Sequence, residues 1–166
     1  MAGGADAILI PEIPFDLSSV AECLSAREKF GARFSIVVVA EGAFPRGGEI
    51  ALVEQARAGR VERLGGIGAK VCDQLAELTG KETRSVVLGH LQRGGAPTGS
   101  DRVLATRFGG MAVELVKRGA FGTMVALDPP DIVSRRLDEV VGKTRTVPGD
   151  LDLIRTARAL GVSFGD

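Results

Sequence analysis

Tryptophan and tyrosine are both absent from this chain, histidine occurs once and cysteine twice. Neither sign of charge is in excess: 21 Lys and Arg balance 21 Asp and Glu. That balance removes the strong basic pull of a general nucleic-acid binder. No apolar run approaches the roughly 20 residues that span a bilayer, so no transmembrane helix is expected. The opening MAGGADAILIPE carries no basic stretch ahead of its apolar residues, so no secretory signal is expected there either. Cys23 and Cys72 sit inside apolar helical patterns and read as reduced core thiols of a cytoplasmic protein, not as a disulfide or a metal pair. No HExxH and no paired CxxC occurs, which argues against a zinc site. GxSxG is missing, and Ser100 has no second histidine to serve it. Gly65-Gly66-Ile67-Gly68-Ala69-Lys70 lacks a Ser or Thr after the lysine. In the run ending Gly142-Lys143-Thr144, Leu137 stands where the first glycine belongs. Neither is a Walker A loop.

What is abundant is glycine, 23 of 166 residues. So many glycines mean tight turns or close backbone approaches. The length favours one domain with a real core. Charged residues at 25% and hydrophobic ones at 45% are ordinary for a globular protein.

The pattern alternates strand and helix. Ala7–Ile10 is a continuous apolar run stopped by Pro11 and reads as a buried strand. Asp16 then caps a helix carrying Leu17, Val20, Ala21 and Leu24, and Gly31 stops it. Phe34–Ala40 is the clearest strand, β-branched on both faces. Glu49–Arg57 reads as a short helix inside an irregular stretch. A stronger helix places Ile67, Val71, Leu75 and Leu78 on one face and ends at Gly80. A third strand is expected over Ser85–Leu88. Ser100 or Asp101 then caps the longest helix, on which Leu104, Phe108, Met111 and Leu115 recur. Thr123–Leu127 is a fourth strand, and Ser134–Val141 and Leu151–Leu160 read as helices. This order predicts an α/β three-layer sandwich with a mainly parallel sheet.

In open parallel sheets ligands bind beyond the carboxyl ends of the strands. Glu41 follows the second strand. It reads equally as a strand-end carboxylate meeting solvent or as an acceptor for sugar hydroxyls. Gly89-His90-Leu91-Gln92-Arg93-Gly94-Gly95 follows the third. A single His taken alone reads first as a satisfied structural residue. Beside Arg93, between glycines that let backbone N–H groups approach an anion, His90 reads as part of a phosphate or sugar-phosphate site. Arg84, just ahead of the strand, reads on its own as a surface charge.

The run Gly89-His90-Leu91-Gln92-Arg93-Gly94-Gly95-Ala96-Pro97-Thr98, continuing to Asp101-Arg102, closely resembles the signature of 6-phosphofructokinases. Gly3-Gly4-Ala5-Asp6, Ile10-Pro11-Glu12-Ile13-Pro14-Phe15, Val37-Val38-Val39-Ala40-Glu41-Gly42 and Thr83-Arg84 match the same family, in order, over nearly the whole chain. The resemblance implies the C-terminal half of a two-domain enzyme of glycolysis that phosphorylates the 1-hydroxyl of fructose 6-phosphate. It implies Glu41 on the sugar hydroxyls and His90 and Arg93 on the sugar phosphate. It implies Arg84 on the 6-phosphate, in bacterial relatives across a subunit interface of a homo-oligomer. Pro11-Glu12 lies at the edge of that site and receives no role.

The same resemblance places the ATP or pyrophosphate loops, the magnesium aspartate and the catalytic aspartate in a missing N-terminal half. No Gly-Gly-Asp-Gly and no Thr-x-Asp-Asn-Asp occurs here. No catalytic, donor-binding or metal residue is therefore assigned to this chain, and alone it is expected to be inactive. Residues 1–91 and 143–166 are expected to form the fructose 6-phosphate domain, and 92–142 to belong with the missing nucleotide-binding domain. The helix with Leu104, Phe108, Met111 and Leu115 would then expose apolar surface. Phe30 and Ala32 stand where allosteric relatives carry effector-binding lysines, and only Asp6 resembles an effector-site acid, so ADP activation is not expected. That departure and the long Gly42–Gly66 stretch lean toward the pyrophosphate-dependent or mixed branch. The alternative is a stand-alone, non-catalytic sugar-phosphate-binding or regulatory module.

Overall fold

A computed structural model describes residues 2–50, 52–54 and 63–166. The chain divides into two compact units, Met1–Val87 with Thr146–Asp166, and Leu88–Arg145.

The first unit is built on a parallel strand pair, β1 (Ala7–Leu9) and β2 (Val37–Val39), with Ala7 opposite Val37 and Leu9 opposite Val39. Side chains alternate across a strand. Ala7 and Leu9, fully buried, join α1 (Leu17–Lys29) and a helix over Ile67–Thr79 through Val20, Ala21, Ile67, Val71 and Leu75. Ile8 and Ile10 face the other way, onto Ile154 and Ala157 of a helix over Asp152–Ala159 and onto Phe164 beyond it. The result is helix, sheet, helix in three layers. Asp16 caps α1 as expected, its carboxylate accepting from the Ser18 N–H at 2.8 Å. Gly31, in the left-handed region at φ +94°, turns the chain out of that helix.

Asp6 holds this layer together although it is only 5% exposed. Its N–H donates to the Ile36 carbonyl at 2.8 Å, and its carboxylate accepts from the Ile36 N–H at 2.8 Å. The other carboxylate oxygen pairs with Arg27 of α1 at 2.7 Å. Its carbonyl accepts from the Ser163 N–H at 3.0 Å. Asp6 thereby ties β1 to β2, to α1 and to the last residues of the chain.

The irregular middle contains an antiparallel pair, β3 (Leu52–Glu54) and β4 (Arg63–Leu64). Residues 52–54 are thus strand where a helix over Glu49–Arg57 was expected; residues 51 and 55–57 lie outside the described residues. Pairing with β4 outweighs a short helical pattern flanked by Gly47, Gly48 and Gly59. The helix Ile67–Thr79 is α2, framed by Gly66 and Gly80, both at positive φ.

The expected third strand at Ser85–Leu88 does not form. The segment is in no ladder, and Val86 and Val87 are 75% and 76% exposed. β-Branched residues favour a strand only where a pleated surface receives them. Val38, 49% exposed, likewise leaves β2 short of burial on both faces.

The second unit runs from a 3₁₀ turn at Gly89–Arg93 into α3 (Gly99–Lys117) and then a hairpin, β5 (Thr123–Asp128) and β6 (Asp131–Arg136), closed by Pro129-Pro130. The helix expected over Ser134–Val141 is therefore strand up to Arg136, and only α4 (Leu137–Val140) is helical. The hairpin turn places Ile132 and Val133 opposite Leu127 and Ala126, and that cross-strand packing prevails over the helical pattern. Leu115 is the one buried apolar residue of this unit, whereas Val103, Val113, Val116 and Phe121 are exposed. The remaining helix, Asp152–Ala159, is α5 and returns to the first unit. The α/β class is as expected: β1–β2 is the parallel part, and the other two pairs are antiparallel. Among the described residues no helix is long and apolar enough to cross a membrane.

Asp6→Ala is expected to lower unfolding stability by about 2 kcal/mol, because it leaves the Ile36 N–H and Arg27 without a partner. Asp6→Asn, which keeps an acceptor for Ile36, is expected to lose roughly half of that. Urea titration followed by circular dichroism measures both.

Candidate functional site

Glu41 lies in the turn that leaves β2. The turn is pinned on both sides: the Ala40 N–H donates to the Leu9 carbonyl at 2.9 Å, and the Ala43 N–H closes on the Ala40 carbonyl at 2.9 Å. Ala43 is fully buried while Glu41 is exposed, so the fold anchors the turn and offers the carboxylate to solvent.

Arg84 follows α2 on the unpaired segment. Its guanidinium donates from Nε at 2.9 Å and from Nη2 at 2.6 Å to one oxygen of Glu82. Both side chains are largely exposed, so this pair contributes little to stability.

His90 and Arg93 share the 3₁₀ turn Gly89–Arg93, opened by the Leu91 N–H donating to the Leu88 carbonyl at 2.8 Å. Residues three apart eclipse one another in a 3₁₀ helix, so the imidazole and the guanidinium project from the same side. Both residues are exposed. Gly89 and Gly95 occupy the left-handed region at φ +46° and +96°, which other residues enter only with strain. Gly89 and Gly95 are thus required by the backbone itself. Glu41 and Arg84 belong to the first unit, His90 and Arg93 to the second.

The loop ends in a capping box. Asp101 accepts from the Thr98 N–H and from the Thr98 hydroxyl, each at 2.8 Å, and the Asp101 N–H donates back to that hydroxyl. The cap of α3 is therefore Thr98, not Ser100 or Asp101. The Thr-x-x-Asp spacing was the available signal. These bonds, the backbone one foremost, hold the Asp101 carboxyl below the usual carboxylate range. Glu12 has a structural task as well, accepting from the Val147 N–H at 2.8 Å. Among the described residues no group of three or more His, Cys, Asp or Glu is arranged to hold a metal.

The family model for phosphofructokinase matches residues 1–116. This chain belongs to the phosphofructokinase family. It is 53% identical, over all 166 residues, to an ATP-dependent 6-phosphofructokinase of Chloroflexus aurantiacus, of which it covers 45%. It is 54% identical over 151 residues, 89% of its length, to a pyrophosphate–fructose 6-phosphate 1-phosphotransferase of Amycolatopsis methanolica, covering 43% of that protein. The phosphofructokinase of Saccharomyces cerevisiae aligns in space with a TM-score of 0.63 and 32% identity, over 83% of this chain and 17% of that one. A pyrophosphate-dependent phosphofructokinase from Nitrosospira multiformis shares the fold, with a TM-score of 0.66 over 96% of this chain and 41% of that one. The chain spans about half the length of the curated phosphofructokinases it matches.

Because the folded state favours ionised Asp101, its share of the stability of α3 is present above the ordinary carboxylate range. It is lost as pH falls through the lowered value. Hydrogen exchange at the first turn of α3 is expected to accelerate on acidification in the wild type and to lose that pH dependence in Asp101→Asn.

Proposed function

We propose that this chain supplies the fructose 6-phosphate half of a 6-phosphofructokinase of glycolysis. The complete enzyme would transfer a phosphoryl group from ATP or pyrophosphate to the 1-hydroxyl. Glu41 accepts hydrogen bonds from sugar hydroxyls, Arg84 and Arg93 balance the dianionic 6-phosphate, and His90 adds a directional hydrogen bond to it. The observation that supports this reading is the run from Gly89 to Arg102, in which one 3₁₀ turn carries both His90 and Arg93.

Positioning and electrostatics carry most of phosphoryl transfer. These four groups fix the acceptor; none of them holds the donor. The donor loops, the magnesium site and the catalytic aspartate belong to the remainder of the family's length. The chain by itself is therefore inactive. Residues 92–142 belong, in the complete enzyme, with the nucleotide-binding domain, which would cover the exposed apolar side chains of α3 and the β5–β6 hairpin. Residues 1–91 and 143–166 form the sugar-phosphate domain. The assembled enzyme is a cytoplasmic homo-oligomer. Near-equal identity to an ATP-dependent and a pyrophosphate-dependent relative, 53% and 54%, leaves both donors open.

Calorimetric titration of the chain with fructose 6-phosphate tests this reading. Arg93→Ala removes a charge-assisted bond worth about 1.5–3 kcal/mol and is expected to weaken binding about 10- to 100-fold. Glu41→Gln is expected to weaken binding of the sugar phosphate but not of inorganic phosphate. Equal affinity of wild type and Arg93→Ala would refute the assigned phosphate contact.

A further inference from the structure

Thr83 is the one residue between Lys81 and Leu88 that is not exposed. Its hydroxyl donates to the Cys72 carbonyl of α2 at 2.9 Å and lies 3.4 Å from the Cys72 thiol, which donates to it. A threonine hydroxyl has one donor and two acceptor sites, and this geometry uses both kinds. Two residues earlier, Lys81 pairs with Glu28 of α1. Lys81 and Thr83 are thus attached to the helices, while Glu82 and Arg84 face solvent with side-chain exposures of 75% and 84%. The contact between the Glu82 and Arg84 side chains places both on the same side of the chain. With Thr83 held inward on α2, its two neighbours are left together on the outward side.

We propose that Thr83 is a positioning residue for Arg84: seated on the Cys72 carbonyl, its hydroxyl fixes the side from which the guanidinium meets the phosphate monoester of the substrate. The inference rests on the reading of Arg84 as a phosphate contact. In an unpaired segment such an anchor matters more than it would in a strand, because no ladder bond holds Arg84 in register. Turning Thr83 over would carry the guanidinium toward α2 and leave the phosphate one cation short.

The test is a double-mutant cycle on the chain, read as fructose 6-phosphate affinity by calorimetry, with circular dichroism to verify folding. Thr83→Val keeps the shape and removes the hydroxyl; it is expected to weaken binding roughly 5-fold, the effect of one hydrogen bond. Thr83→Ser is expected to restore affinity to within about twofold. In an Arg84→Ala background Thr83→Val is expected to have no further effect, because its role acts through Arg84. A purely structural role would give additive losses and no dependence on Arg84. Should the valine variant not fold, Thr83→Ala takes its place in the cycle. Unchanged affinity in Thr83→Val, or additivity with Arg84→Ala, overturns the proposal while leaving the Arg84 contact intact. Unchanged affinity in Arg84→Ala, or no binding by the wild type, overturns the underlying reading and the proposal with it.

Discussion

The Asp6 carboxylate is where the architecture of the first unit is decided. It substitutes for a strand partner at the entry of β2, accepting from the Ile36 N–H, and holds Arg27 of α1 at 2.7 Å. Without it the Ile36 N–H at the entry of β2 and the Arg27 guanidinium lose their partner, and the backbone bond from the Asp6 N–H to the Ile36 carbonyl is left to hold that entry. The same residue, through its carbonyl, receives Ser163 and so brings α5 and the chain end to the far face of β1. An acid in this position resembles an effector-site residue by sequence alone; in the folded chain its oxygens are occupied by backbone and by Arg27.

The two units differ in self-sufficiency. The first closes two apolar clusters around β1, one against α1 and α2 and one against α5. The second has a well-capped α3 and a hairpin but one buried apolar side chain, Leu115. Burial this small is the reason that the second unit is proposed to pack against the nucleotide-binding domain of the complete enzyme. The same division applies to the chemistry. Glu41, Arg84, His90 and Arg93, proposed for the acceptor, are by type a set for phosphate and hydroxyl groups, and none of them is proposed to hold a second phosphate group or its metal. On the proposed reading, a chain that holds one reactant without the other would forgo the advantage of orientation, since that advantage exists only when both are held.

Much of this was legible in the sequence for local reasons. Val37–Val39 is a strand because its β-branched residues find β1 alongside. Asp16, Gly31 and Gly80 mark helix ends by backbone chemistry that needs no tertiary context. The glycines around His90 announce positive φ, and the structure uses Gly89 and Gly95 that way. What failed was decided by partners distant in sequence. Ser85–Leu88 has much the same character as Val37–Val39 yet stays unpaired. Residues 131–136 became strand because a Pro-Pro turn folded them back onto Thr123–Asp128. Thr83 and Asp6 gave no periodic signal, because each works through hydrogen bonds to residues distant in sequence, Cys72 at 11 positions and Ile36 at 30 among them. The roles of Glu41, Arg84, His90 and Arg93 came from the family resemblance; chemistry alone marked only His90 and Arg93 as a cluster.

The central claim, an acceptor half without a donor half, is tested most directly by a coupled assay of the purified chain with fructose 6-phosphate and magnesium, run once with ATP and once with pyrophosphate. The expected result is no fructose 1,6-bisphosphate with either donor. Sustained formation with either one would contradict the account.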